Sequence, residues 1–201
     1  MKEIIPEQVL NRKFCNFVYS NAKLADPFRE EFFKKLSEYK KVDSGGRCLN
    51  NIGGPVINKL SFIKDYKFTI AFENSSVSGY TTEKILEPMS VNSIPIYWGN
   101  PKVALDFNSK SFINVNEYSS IDLAIDEIIR MDKNDDLYLN MLKNPWLEKP
   151  ISLNDWYNLL QVFLQNIFDQ SKFEAKRCTK YGYVRRRLSK SLFSSIVNKL
   201  K

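Results

Sequence analysis

The sequence predicts an α/β domain built on a parallel sheet with helices on both faces. Three observations carry this. Strand-like apolar segments alternate with amphipathic helical ones along most of the chain, an order that belongs to parallel sheets. The segment Lys67 to Phe72 (KFTIAF) becomes apolar on both faces toward its end, as an interior parallel strand does. Of 201 residues 43% are hydrophobic, enough for one full core but thin for two large domains.

Taken in order, Phe14 to Tyr19 (FCNFVY) is short, aromatic and β-prone, and Ser20-Asn21 closes it. Asp26 then caps a helix with Pro27 at its first position, and Phe28, Phe32, Leu36 and Tyr39 form its apolar stripe. Val42 to Arg47 and Ile52 to Pro55 read as loops, being rich in glycine and polar residues. After the strand ending at Phe72, the polar stretch Glu73 to Gly79 leads to Thr81 or Thr82 as a cap for a helix over 83–90. Ile94 to Trp98 is the next strand, ended by Gly99. A turn near Val103 to Phe107, a strand at Phe112 to Val115 and a helix from Ser120 to Met131 follow, with Ile121, Ile125, Ile128 and Ile129 inward. Asp136 to Lys143 and Leu153 to Phe168 are further helices, the last with an apolar stripe suited to a core.

Composition excludes several classes of function. The net charge of +7 is uneven: residues 172–201 hold ten Lys/Arg against one acid, while residues 1–171 hold twenty bases and twenty-two acids. The basic pI describes a tail and not a nucleic-acid-binding face of the fold. Histidine is absent and the three cysteines lie far apart, so zinc sites and Ser-His or Cys-His nucleophiles are not expected. That cysteine usage fits a reducing compartment. Lys2, Glu3 and Glu7 interrupt any apolar run at the start, so no signal peptide is read there. No stretch approaches the ~20 apolar residues of a membrane span.

The informative segment is FENSSVSGYTTEKI, Phe72 to Ile85. It lies between a buried strand and a helix start, where free backbone N–H groups suit a phosphate. Lys84 in the first helical turn opposes the helix dipole, a conflict that a bound diphosphate would remove. On spacing alone, the same residues also fit an ordinary helix start with a solvated lysine. Arg29, beside Glu30 and Glu31, equally fits a surface charge on an amphipathic helix.

Followed by IPIYWG, this segment resembles the signature of the α-1,3/α-1,4-fucosyltransferases, glycosyltransferase family 10. The resemblance runs upstream through FVYSN and the helix carrying Arg29, and downstream through DFNSKSFINV, and bacterial members look most similar. It implies a Rossmann-like sheet forming the C-terminal half of a GT-B fold, with GDP-fucose as donor and no cofactor or metal. Asp135-Asp136 do not form the Asp-x-Asp loop that a magnesium-dependent transferase of the other common type would use. By resemblance, Arg29 and Lys84 contact the diphosphate and act in catalysis, while Asn74, Tyr80 and Glu83 line the donor pocket. Glu83 faces either the ribose or the developing positive charge on the sugar, where it too counts as catalytic.

The expected reaction is transfer of L-fucose, with inversion, to an N-acetylglucosamine- or glucose-containing glycan. In the family an acceptor domain carrying the general base precedes this segment. The chain is therefore expected to be the donor-binding half of a fucosyltransferase, the alternative being a nucleotide-sugar-binding module or an inactive remnant that requires a separately encoded N-terminal acceptor domain. The expected organisation is a leader over 1–12, a GDP-fucose-binding domain over 13–170, and a tail over 171–201. In that tail Val184, Leu188, Leu192, Ile196 and Leu200 share a helical face with Arg185, Arg186, Arg187, Lys190 and Lys199 as polar partners. Such a helix suits an anionic membrane surface, giving a cytoplasmic protein peripheral on the inner face of a membrane.

Overall fold

The structure, a computed structural model, describes residues 4–20, 25–148, 152–171 and 174. The basic tail helix expected from Tyr183 onward lies outside the described residues. The chain forms two compact units, Met1–Lys149 and Pro150–Lys201.

The first unit runs α1 (Pro6–Leu10), β1 (Lys13–Phe17), α2 (Phe28–Tyr39), β2 (Val42–Ser44), α3 (Lys59–Ile63), β3 (Tyr66–Phe72), α4 (Glu83–Ser90), β4 (Ile94–Trp98), β5 (Ile113–Asn114), α5 (Ile121–Asp132) and α6 (Asp135–Lys143). All five strands join one sheet in the order β2-β1-β3-β4-β5. Every pairing is parallel, with Cys15 opposite Phe68 and Phe72 opposite Trp98. One expectation changes, and short helices appear where none was predicted. Val42–Ser44 is an edge strand and not part of a loop, because it pairs with Cys15 to Phe17. Lys59–Ile63 is a short helix capped by the Asn58 side chain, which accepts from the Ser61 N–H.

Strand periodicity divides the core between the two faces of the sheet. Phe68, Ile70, Phe72, Ile94 and Ile96 point to the larger cluster, which Phe32 and Leu36 of α2 and Ile125 and Ile128 of α5 complete. Ala71 and Tyr97 point to the other face, where Ile85 and Met89 of α4 cover them with Val103 and Phe112. All seven residues of β3 are buried, as a central strand covered on both sides requires. On α5, Ala124, Ile125, Ile128 and Met131 are the buried residues, whereas Ile121 and Ile129 pack at the rim of the core.

In the second unit the described element is α7 (Leu153–Phe168). Ser152 and Asp155 close a capping box at its start. Among its described residues the apolar stripe is exposed, Trp156, Leu160 and Phe163 included. The division after Lys149 places α7 in the second unit. Among the described residues no helix is long and apolar enough to cross a membrane.

Candidate active site

The strand order sets the place. After β1 the chain crosses to one side of the sheet to form β2, and after β3 it crosses to the other side to form β4. The carboxyl ends of β1 and β3 therefore carry diverging connections, and the crevice between them is where parallel sheets of this kind receive ligands. The segments that leave those ends contain Tyr19, Arg29 and Glu73 to Lys84.

Arg29 sits in the first turn of α2. The Asp26 carboxylate accepts from the Phe28 N–H at 3.0 Å and starts the helix. The Asp26 N–H bonds the Asn74 carbonyl at 2.9 Å and ties that start to the loop after β3. Only 2% of Arg29 is exposed. Its Nη2 donates to the Glu73 carbonyl at 3.0 Å and to Asn74 Oδ1 at 2.7 Å. The guanidinium lies over the Tyr19 ring, 4.0 Å from its centroid. The Tyr19 hydroxyl donates toward the Ile70 and Phe72 carbonyls and accepts from the Phe72 N–H, so it joins the end of β1 to β3. Burial raises the Tyr19 phenol above its ordinary value, and the nearby Arg29 lowers it in part.

Glu73 is fully buried at the end of β3. Its carboxylate accepts from the Thr82 N–H at 2.8 Å and from the Thr82 hydroxyl, with Oε2 at 2.8 Å. Lys84 Nζ stands 3.4 Å from Oε2 and donates to Thr82 Oγ1 at 3.0 Å. Thr82 is thus the first residue of the α4 cap, but its hydroxyl makes no cap hydrogen bond. It turns to Glu73 instead. Lys84, which opposes the helix dipole in sequence, is paired here with that buried carboxylate. The neighbouring connection after β4 is shaped to match. Asn100 accepts from the Gly79 N–H and donates to Thr81 Oγ1, holding the outer loop.

Arg29, Asn74 and Lys84 are brought together around Glu73. Tyr80 is exposed to 37% on the outer part of the same loop, linked to the cluster through the backbone that Asn100 fixes. Glu83 faces outward with its side chain 61% exposed and one oxygen 3.4 Å from Lys84 Nζ. A hydrogen bond from its own backbone N–H holds the Glu83 carboxyl below its ordinary value; burial opposes this, and Lys84 assists. Among the described residues no three metal-ligating side chains gather. Cations placed beside a helix N-terminus are, in general, groups that can hold an anion and steady charge that develops on a departing phosphate. Sequence reasoning missed Glu73, Thr82 as its partner, Tyr19 and Asn100.

The family described as glycosyltransferase family 10 (fucosyltransferase), C-terminal part, matches residues 10–196. The chain belongs to glycosyltransferase family 10. Its parallel sheet is the C-terminal half of the GT-B fold. Among curated relatives of the family-10 chain, the alpha-(1,3)-fucosyltransferase FucT of Helicobacter pylori is 44% identical over 137 residues, covering 68% of this chain and 28% of the relative. GDP-fucose protein O-fucosyltransferase 3 of Homo sapiens is 32% identical over 154 residues, 69% of this chain and 32% of that protein. A crystal structure of an alpha1,3-fucosyltransferase with GDP-fucose superimposes with a TM-score of 0.72 at 37% identity, covering 81% of this chain and 49% of that one. The form with GDP gives 0.75 at 37% identity, covering 84% and 50%. The family-10 chain thus spans about half the length of these structures and about a third or less of the curated relatives.

Proposed function

We propose that this chain holds GDP-fucose and supplies the donor side of an inverting fucosyl transfer to an N-acetylglucosamine- or glucose-containing glycan. One observation carries the reading: Arg29 and Lys84, far apart in sequence, meet on Glu73 at the switch point of the sheet, Arg29 at its carbonyl and Lys84 at its carboxylate. As the bond between fucose C1 and the β-phosphate oxygen breaks, its electron pair stays on GDP. Arg29 and Lys84 stabilise that charge, more strongly as it grows. Asn74 orients Arg29, Tyr80 closes the outer side of the pocket, and the ionised Glu83 accepts from the ribose hydroxyls. The acceptor hydroxyl attacks the opposite face of C1 and loses its proton to a base that an N-terminal acceptor domain supplies. The relatives named above include a protein O-fucosyltransferase as well as an alpha-(1,3)-fucosyltransferase; what their names share is the fucosyl group.

Calorimetric titration of the chain with GDP and GDP-fucose tests the donor assignment. Lys84→Ala is expected to weaken GDP binding about tenfold through loss of a charge-assisted contact, while Lys143→Ala at the far end of α6 leaves it unchanged. Equal affinities for the wild type and Lys84→Ala would refute the diphosphate role. We further propose that the tail binds an anionic membrane surface on the cytoplasmic side, on the strength of its ten bases against one acid. Co-sedimentation with phosphatidylserine vesicles, but not with phosphatidylcholine ones, is the expected outcome. A chain ending at residue 171 that sediments equally well removes the tail from this role.

A further inference from the structure

We propose that Glu73 is a positioning residue, a buried pedestal that sets the spacing of the two cations of the diphosphate clamp. The inference rests on the donor-site reading and adds a residue to it. A carboxylate with no solvent exposure has to be compensated within the fold, and each of its partners is then fixed in place. Glu73 holds both cations at once, by different groups. Its main-chain carbonyl receives Arg29 Nη2, and its carboxylate receives Lys84 Nζ. The Thr82 hydroxyl sits between the carboxylate and the ammonium, touching both. A second connection is built around the same side chain. At Gly99, φ is +148°, and a Cβ placed there would fall 2.5 Å from Glu73 Cγ. The Glu73 N–H is also bonded to the Trp98 carbonyl at 2.8 Å. Without the carboxylate, Lys84 would keep Thr82 and the outward-facing Glu83, and its ammonium would be free to swing toward solvent.

A buried cap for α4 would account for the Thr82 bonds alone, so the experiment separates ordering of α4 from placement of the cations. GDP and guanosine are titrated against the full chain, guanosine by ligand-observed NMR, for the wild type, Glu73→Gln, Lys84→Ala and the double variant. Glu73→Gln is expected to weaken GDP about tenfold while leaving guanosine affinity unchanged, because only the diphosphate meets the cations. In the Lys84→Ala background the same substitution is expected to change GDP affinity less than about twofold, since coupled residues are not additive. A GDP-to-guanosine affinity ratio equal to that of the wild type overturns the proposal, whether both affinities fall together or neither does. So does full additivity in the double variant. Thr82→Val keeps the backbone bond to Glu73 and strips only the hydroxyl between it and Lys84. If Glu73→Gln does not fold, this variant decides by the same ratio. Failure of the wild type to bind GDP at all would instead strike the donor-site reading itself.

Discussion

An arginine with 2% of its surface exposed needs partners for its donors, since a buried charge left unpaired is costly. At Arg29 those partners include a carbonyl, an amide oxygen and an aromatic face, contributed by the segments that leave the ends of β1 and β3. Arg29→Ala is therefore expected to cost about 2–4 kcal/mol of stability, read by urea unfolding, and to weaken GDP binding as well. Arg29→Lys keeps the charge and loses the planar guanidinium that lies over Tyr19 while its Nη2 reaches Glu73 and Asn74, so it should recover stability in part but little GDP affinity. Stability and affinity both unchanged in Arg29→Ala would contradict this account. The sequence alone places Arg29 poorly. Between Pro27 and the acids Glu30 and Glu31 it has the pattern of a solvated charge, and only the resemblance to family 10 singles it out. Glu73 was less visible still. A lone acid at a strand end gives no sign that its carboxylate turns back to Thr82, nine residues on. The signal available was the lysine in the first turn of α4, whose unfavourable position calls for a nearby negative group.

Two connecting segments depend on glycine because of close approach. A Cβ at Gly46 would lie 1.9 Å from the Tyr19 carbonyl oxygen, and one at Gly99 would meet Glu73. Gly46→Ala is expected to cost on the order of 3 kcal/mol or more, since backbone cannot yield as a side chain can. Gly53 has φ of +89° with open space around it, so Gly53→Ala should cost only about 1 kcal/mol. Thermal unfolding ranks the two, and a Gly46→Ala protein as stable as Gly53→Ala would show that the connection after β2 tolerates displacement. The longer elements were readable from the sequence: α4 and α7 run over Glu83–Ser90 and Leu153–Phe168, the ranges their patterns predict. The missed ones, α1, β2 and α3, have five, three and five residues, too few for a periodicity to emerge. What defines Val42–Ser44 is its pairing with β1, a long-range fact that no local pattern contains.

The parallel sheet itself followed from the alternation of segments, and the location of the site followed from the sheet. The order of its strands did not, because the side to which each crossover turns is decided by packing on the two faces. That order has a consequence for how binding reports on the molecule. Arg29 and Lys84 share a pedestal only when β1 and β3 are in register, with Tyr19 bonded to Phe72. The unfolded chain has no corresponding site, so the proposed donor binding would be thermodynamically linked to assembly of the sheet. GDP at a hundred times its dissociation constant should add about 2.7 kcal/mol to the unfolding free energy. Backbone amides of β1 and β3 that exchange with deuterium only through global opening should then exchange about a hundredfold more slowly. The nucleotide would act as a reversible clasp between the two central strands, and isotope exchange in their amides would measure how firmly it closes.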